Sequence, residues 1–201
     1  MNITIAIPKG FLHDGSYQYL ASLGINLQIE KDNRALMFYD RKNNIKGLLV
    51  RPNDVNAYVE HGSADLGIVG LDLIKEQNPD VVKLKDLNFG NCKLVFAVKE
   101  DSKYKNINDL PANITIATKF TRLANDFINK TGISADIIKL YGSIELAPII
   151  KLSDAIIDLV ATGKTLTANR LISLETILES SAILIANPVA FKIKKSKLLN
   201  F

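Results

Sequence analysis

Short β-rich runs alternate with helical patterns from one end of the chain to the other, and that alternation restricts the fold to the α/β class. "NITIAI" reads as a strand and "FLHDGSYQYLASLG" as a helix closed by Gly24. "ALMFYD" and "KGLLVR" read as strands around the polar turn "RKNN". The helix "PNDVNAYVEHG", stopped at Gly62, leads into the strand "ADLGIVG" as a βαβ-like passage. A second series follows, with strands "CKLVFAV", "NITIAT" and "DIIKL" and the helix "TRLANDFINKTG" between the last two. The helix "SIELAPIIKL", the strand "AIIDLVAT", a helix from about Gly163, the strand "SAILIA" and a C-terminal helix complete the chain.

At 201 residues the chain suits one large domain or two small lobes. No apolar run approaches the roughly 18 residues of a membrane span. The start, "MNITIAIPKG", has no basic leader, and its apolar stretch runs only from Ile3 to Ile7. It reads as a first strand rather than a signal peptide, which implies a cytoplasmic protein. Cys92 is the single cysteine, and His13 and His61 stand far apart as ordinary helix residues, so no Cys/His metal framework is expected. The net charge of +4 comes entirely from Lys192, Lys194, Lys195 and Lys197 in the tail "KIKKSK". Without a broad basic face, nucleic acid is not an expected partner. The tail itself reads as a solvated helix end.

The stretch with most chemical content is "DLVATGKTLTAN", residues 158–169. Its Gly163-Lys164-Thr165 triplet suggests a nucleotide P-loop, but a P-loop needs a glycine five residues before Gly163, where Asp158 stands. A carboxylate there opposes a triphosphate. What remains is an acid followed by a Thr162-Gly163-Lys164-Thr165 turn that opens a helix. Free N–H groups at a helix start suit a single phosphate. Gly163 permits close approach, the Thr162 and Thr165 hydroxyls add donors, and Asp158 is an acceptor for sugar hydroxyls. That combination suits a ribose 5-phosphate and resembles the loop of phosphoribosyltransferases. Asp65-Leu66 before Gly70 echoes Asp158-Leu159 before Gly163 and hints at two similar lobes.

The surrounding stretches carry a wider resemblance. "GSIELAP", "DAIIDLVATGKTLTAN", "ESSAILIAN", "FGNCKLVFAV", "VRPNDVNAYVEHGSADLGIVGLDLI" and "IAIPKG" together resemble the ATP phosphoribosyltransferase family, the first enzyme of histidine biosynthesis. The resemblance runs from Ile3 to Asn187 with the motifs in order, and the length is similar to the family's short form. Two positions depart from it. Phe11 stands where the family has arginine after "PKG", and Lys151 where it has glycine.

The resemblance implies a fold similar to the periplasmic binding protein type II fold, an α/β chain of two lobes with a cleft between them. Lobe I would span residues 1–90, completed by 180–201, and lobe II, carrying the phosphoribosyl diphosphate loop, residues 91–179. The reaction implied joins the phosphoribosyl group of phosphoribosyl diphosphate to N1 of ATP and releases pyrophosphate. Mg²⁺ would be held mainly by the substrate diphosphate, with no protein metal ligands. By the same resemblance Thr162, Gly163, Lys164 and Thr165 bind the 5-phosphate and Asp158 the ribose hydroxyls. Lys9 faces the diphosphate, Arg34 and Arg51 hold ATP phosphates, and Glu145 orients the adenine or ribose near the reacting carbon. Implied partners are a second copy of the chain and a separate regulatory subunit resembling histidyl-tRNA synthetase, in a hetero-octamer. A two-lobe solute-binding protein and an inactive paralogue, the latter motivated by Phe11, are the alternatives.

Overall fold

The computed structural model describes residues 2–29 and 35–201. The chain forms two compact units, Met1–Gly90 with Ser181–Phe201, and Asn91–Ser180. Up to Gly90 it makes β1 (Ile3–Pro8), α1 (His13–Ser22), β2 (Gln28–Ile29), β3 (Met37–Asp40), β4 (Ile45–Val50), α2 (Val55–Glu60), β5 (Leu66–Gly70), α3 (Leu71–Gln77) and β6 (Val82–Asp86). Asn91–Ser180 contains β7 (Cys92–Lys99), β8 (Ile114–Thr118), α4 (Thr121–Thr131), β9 (Ala135–Lys139), α5 (Leu146–Ile149), β10 (Ala155–Val160), α6 (Lys164–Ala168) and β11 (Leu171–Ser180). The chain then returns to the first unit with β12 (Ala182–Ala186) and α7 (Pro188–Leu198).

In the first unit seven strands lie in the order β2-β3-β4-β1-β5-β12-β6. The three in the middle, β4, β1 and β5, are parallel, with Ile5 paired to both Gly47 and Leu66. β1 and β5 are buried along nearly their whole length, which suits their near-continuous apolar sequences, while β4 is buried only in part. Ile5, Ile7, Leu66, Ile68 and Leu184 are buried at the centre of this core. On one face α2 approaches very closely, because a Cβ on Gly67 would stand 2.7 Å from Val59 Cγ2 and 2.8 Å from Val55 Cγ1. Only glycine at that strand position lets the two valines, one helical turn apart, sit directly on the sheet.

Asn187 ties α7 to α2. Its Oδ1 accepts the Ala190 N–H at 2.9 Å as an N-cap, and its Nδ2 donates to the Val59 carbonyl at 2.9 Å. The tail departs from the solvated helix end expected of it. α7 kinks at Lys194, where φ is −113°. Lys194 turns inward and donates to both Asp65 oxygens, at 2.8 and 2.9 Å, and to the Asn2 carbonyl at 2.9 Å. Asp65 also accepts the Thr4 N–H at 2.9 Å.

The second unit has five strands in the order β11-β7-β10-β8-β9. β10 and β9 run parallel to β8, while β7 is antiparallel to β10 and β11. α4 buries Leu123, Ala124 and Phe127, and the Phe127 ring lies 5.7 Å from that of Phe96. Helical content is lower here than the sequence pattern predicts. The expected helix over "SIELAPIIKL" is a single turn, α5, after which Lys151 takes a left-handed φ of 61°. The helix from Gly163 ends at Ala168, and after Asn169 and Arg170 the ten-residue strand β11 follows.

Candidate active site

β10 carries the central residue. It lies between β7 and β8, with Ala155, Ile156 and Ile157 buried; burial falls off from Asp158 toward the strand's carboxyl end. Asp158 Oδ1 accepts the Leu159 N–H at 2.8 Å. Burial pushes the Asp158 carboxyl above its ordinary value. The Leu159 hydrogen bond and the Lys119 charge pull it back, while the Glu145 charge pushes it further up.

Beyond the strand the backbone turns at Gly163, whose φ of 77° is left-handed. A Cβ there would meet nothing within 4 Å, so glycine serves the backbone conformation rather than a need for space. The first N–H groups of α6, at Lys164 and Thr165, have no partner within the helix. α6 has only five residues, so its dipole is small. The donors this turn could offer an anion are therefore its N–H groups and threonine hydroxyls, with little from the helix field. Asn169 braces the turn by donating through Nδ2 to the Thr165 carbonyl at 2.9 Å.

Glu145, Asp158, Thr162, Gly163, Thr165 and Leu166 line one cavity of about 210 Å³. That is below the roughly 300–1,000 Å³ that encloses drug-sized ligands, so it suits a part of a substrate. Lys164 is exposed and does not line it.

Lys9 and Arg51 lie together in the first unit. Pro8 and Val50 are register partners of parallel β1 and β4, and each cation follows its strand directly. The Lys9 N–H donates to the Val50 carbonyl at 2.8 Å. Both side chains line a cavity of about 640 Å³ with Leu36, Met37, Asp54 and Tyr58. Arg34 lies outside the described residues. Phe11 is 67% exposed on a 3-10 turn, Gly10–Leu12, so it is not a core residue. A further cavity of about 600 Å³, lined by Lys99, Asp101, Ile149, Asn169 and Arg170 among others, contains none of these groups. Its size alone gives it no chemistry.

Lys119 follows β8 as Lys9 follows β1, and its charge pulls the Asp158 carboxyl down, although Lys119 does not line the cavity. The internal echo, by contrast, does not hold. Asp65 precedes its strand and is engaged by Lys194, whereas Asp158 lies inside its strand near the carboxyl end.

Two α/β units built from separate sheets define a two-lobe protein of the periplasmic-binding type. Residues 51–201 match the HisG family, described as ATP phosphoribosyltransferase. The chain is 46% identical over 193 residues to an ATP phosphoribosyltransferase of Synechococcus elongatus, covering 95% of this chain and 88% of that protein. It is 45% identical to one from Thermosynechococcus vestitus, covering 95% and 92%. A solved ATP phosphoribosyl transferase (HisG:HisZ) complex from Thermotoga maritima superimposes with a TM-score of 0.84 at 32% identity, covering 99% of this chain and 94% of that one. The aliphatic sulphonate binding protein SsuA of Escherichia coli, at TM-score 0.64 and 16% identity over 98% and 68%, shares the fold alone. The chain belongs to the ATP phosphoribosyltransferase family.

Proposed function

We propose that this chain transfers the 5-phosphoribosyl group of phosphoribosyl diphosphate to N1 of ATP, releasing pyrophosphate in the first step of histidine biosynthesis. The observation that carries the site assignment is the convergence of Asp158, Glu145 and the Thr162–Thr165 turn on one small cavity. The C1–oxygen bond to the diphosphate breaks, its electron pair leaves with pyrophosphate, and the adenine N1 lone pair forms the new bond to C1. Positive charge grows on the ribose meanwhile, so positioning and electrostatics matter more than a strong base.

In this reading the Thr162 and Thr165 hydroxyls, with the Gly163, Lys164 and Thr165 N–H groups, hold the 5-phosphate. Asp158 accepts the ribose hydroxyls, and Glu145 orients the adenine or ribose. Lys9 meets the diphosphate as a point charge. Arg51, with Arg34, takes the ATP phosphates in bidentate fashion.

Among the described residues no group of three or more His, Cys, Asp and Glu side chains is placed to hold a metal. In this reading Mg²⁺ would be held mainly by the oxygens of the substrate diphosphate and by water, with no protein ligand assigned. When bound, the ion neutralises charge on the diphosphate oxygens. No helix among the described residues is long and apolar enough to cross a membrane. The proposal extends to a cytoplasmic homodimer that works with a separate regulatory subunit resembling histidyl-tRNA synthetase, in a hetero-octamer. Incubation with ATP, phosphoribosyl diphosphate and Mg²⁺ tests the activity. Pyrophosphate release that requires both substrates supports it, and release that ignores ATP refutes it.

A further inference from the structure

Thr165 lines the cavity of Asp158 and Glu145 from a helix too short to hold itself. α6 runs only from Lys164 to Ala168, and a single turn makes too few hydrogen bonds to be stable alone. Its place is set by what surrounds it. Leu166 is buried in the core of the second unit with Val95, Ile156 and Leu171. Past the helix, the Arg170 carbonyl accepts the Glu100 N–H at 2.8 Å, which ties the exit to the residue after β7. Between these anchors Asn169 grips the Thr165 carbonyl twice, through its backbone N–H at 3.2 Å and its side-chain Nδ2 at 2.9 Å.

We propose that Asn169 is a positioning residue of this site, whose side-chain amide holds Thr165 in the cavity wall without itself touching the substrate. The role rests on the reading of this cavity as the 5-phosphate site. Asn169 does not line that cavity; it lines the separate one with Lys99 and Arg170. Thr167 makes the same kind of contact one step earlier, its Oγ1 donating to the Gly163 carbonyl at 3.2 Å. Two carbonyls of the turn are thus each held by a side chain four residues further on. A backbone fixed before the anion arrives presents its donors without reorganisation.

The same unit contains a matching contact with no such role. Asn125 Nδ2 donates to the Thr121 carbonyl at 2.8 Å in α4, again four residues back. α4 has eleven residues and buries Leu123, Ala124 and Phe127, so it holds its place without that bond. Asn125 also lies outside the cavity lining. Loss of its amide therefore removes an equivalent hydrogen bond and leaves the site untouched.

Calorimetric titration with phosphoribosyl diphosphate and Mg²⁺ in the absence of ATP, followed by steady-state kinetics, tests the role. Asn169→Ala is expected to raise both Kd and KM for phosphoribosyl diphosphate about three- to tenfold, with kcat and KM for ATP near wild type. Asn169→Ser should recover most of the affinity, because the Thr167 hydroxyl shows that this spacing suffices. Asn125→Ala should bind as wild type does. Asn169→Asp keeps the size without the donor and replaces Asn169→Ala if that variant does not fold. A folded Asn169→Ala or Asn169→Asp protein with wild-type Kd overturns the proposal, and so does an equal loss in Asn125→Ala. A wild-type protein that binds no phosphoribosyl diphosphate refutes the 5-phosphate reading, and the role of Asn169 falls with it. The expected pattern of Kd values in a protein that does not turn over upholds the role and refutes only the transfer reaction.

Discussion

Lys194 lies 2.8 and 2.9 Å from the two carboxylate oxygens of Asp65, joining the kinked C-terminal helix to the start of β5 across 129 positions of sequence. Both side chains are largely out of solvent, at 20% and 14% exposure. Thr4 and Asn2 supply the remaining hydrogen bonds, so the cluster also holds the first strand.

Removing one partner strands the other charge in a partly buried place. Lys194→Met should therefore destabilise the protein by about 1–3 kcal/mol, between the values for exposed and fully buried pairs. Lys192→Met and Lys197→Met, on exposed tail positions, should change stability by less than about 0.5 kcal/mol. Thermal and urea unfolding of the three variants checks the contrast.

Lys151, at a position where the resemblance implies glycine, has a φ of 61°. A side chain in that region costs roughly 1–2 kcal/mol, which glycine avoids at the expense of some unfolded-state entropy. Lys151→Gly should thus stabilise the protein by roughly 0.5–1 kcal/mol, read as a higher urea midpoint.

Asp158 couples the site to stability. Its folded pKa is raised, chiefly by burial, above the ordinary 3.8. A raised carboxyl contributes stability that is fully present below the unfolded value and is lost as pH rises through the folded value. At neutral pH the ionised group therefore works against the fold. Asp158→Asn should raise the melting temperature at pH 7 while lowering affinity for phosphoribosyl diphosphate. The gain in melting temperature should shrink as pH falls toward the ordinary aspartate value.

Phe11 is 67% exposed, so replacing it removes little packing. Phe11→Arg should leave the melting temperature nearly unchanged and should hold or improve KM for the anionic substrates. A large loss of affinity would mean that the turn Gly10–Leu12 does not correspond to the family's arginine-bearing loop.

Much of this was legible in the chain because local signals and tertiary demands agreed. "NITIAI", "ADLGIVG" and "SAILIA" are buried strands and read as such. β11 was not legible, since Leu171, Leu174 and Leu178 fall at helical spacing and two register irregularities break its alternation. α5 was overextended in reading, because nothing local marks the left-handed turn at Lys151. The strand–turn–helix from Asp158 to Thr165 was legible because its signals are contiguous, with Gly163 in the left-handed region at the turn. The Lys194–Asp65 contact was not legible, for the two residues stand 129 positions apart.

The most direct test of the loop assignment is kcat/KM for phosphoribosyl diphosphate in Thr165→Val, measured beside wild type with saturating ATP and Mg²⁺. The account predicts a loss of about 1.5–3 kcal/mol, the value of a hydrogen bond to a charged group, or roughly ten- to hundredfold in kcat/KM. A folded Thr165→Val protein that turns over at the wild-type rate would contradict it.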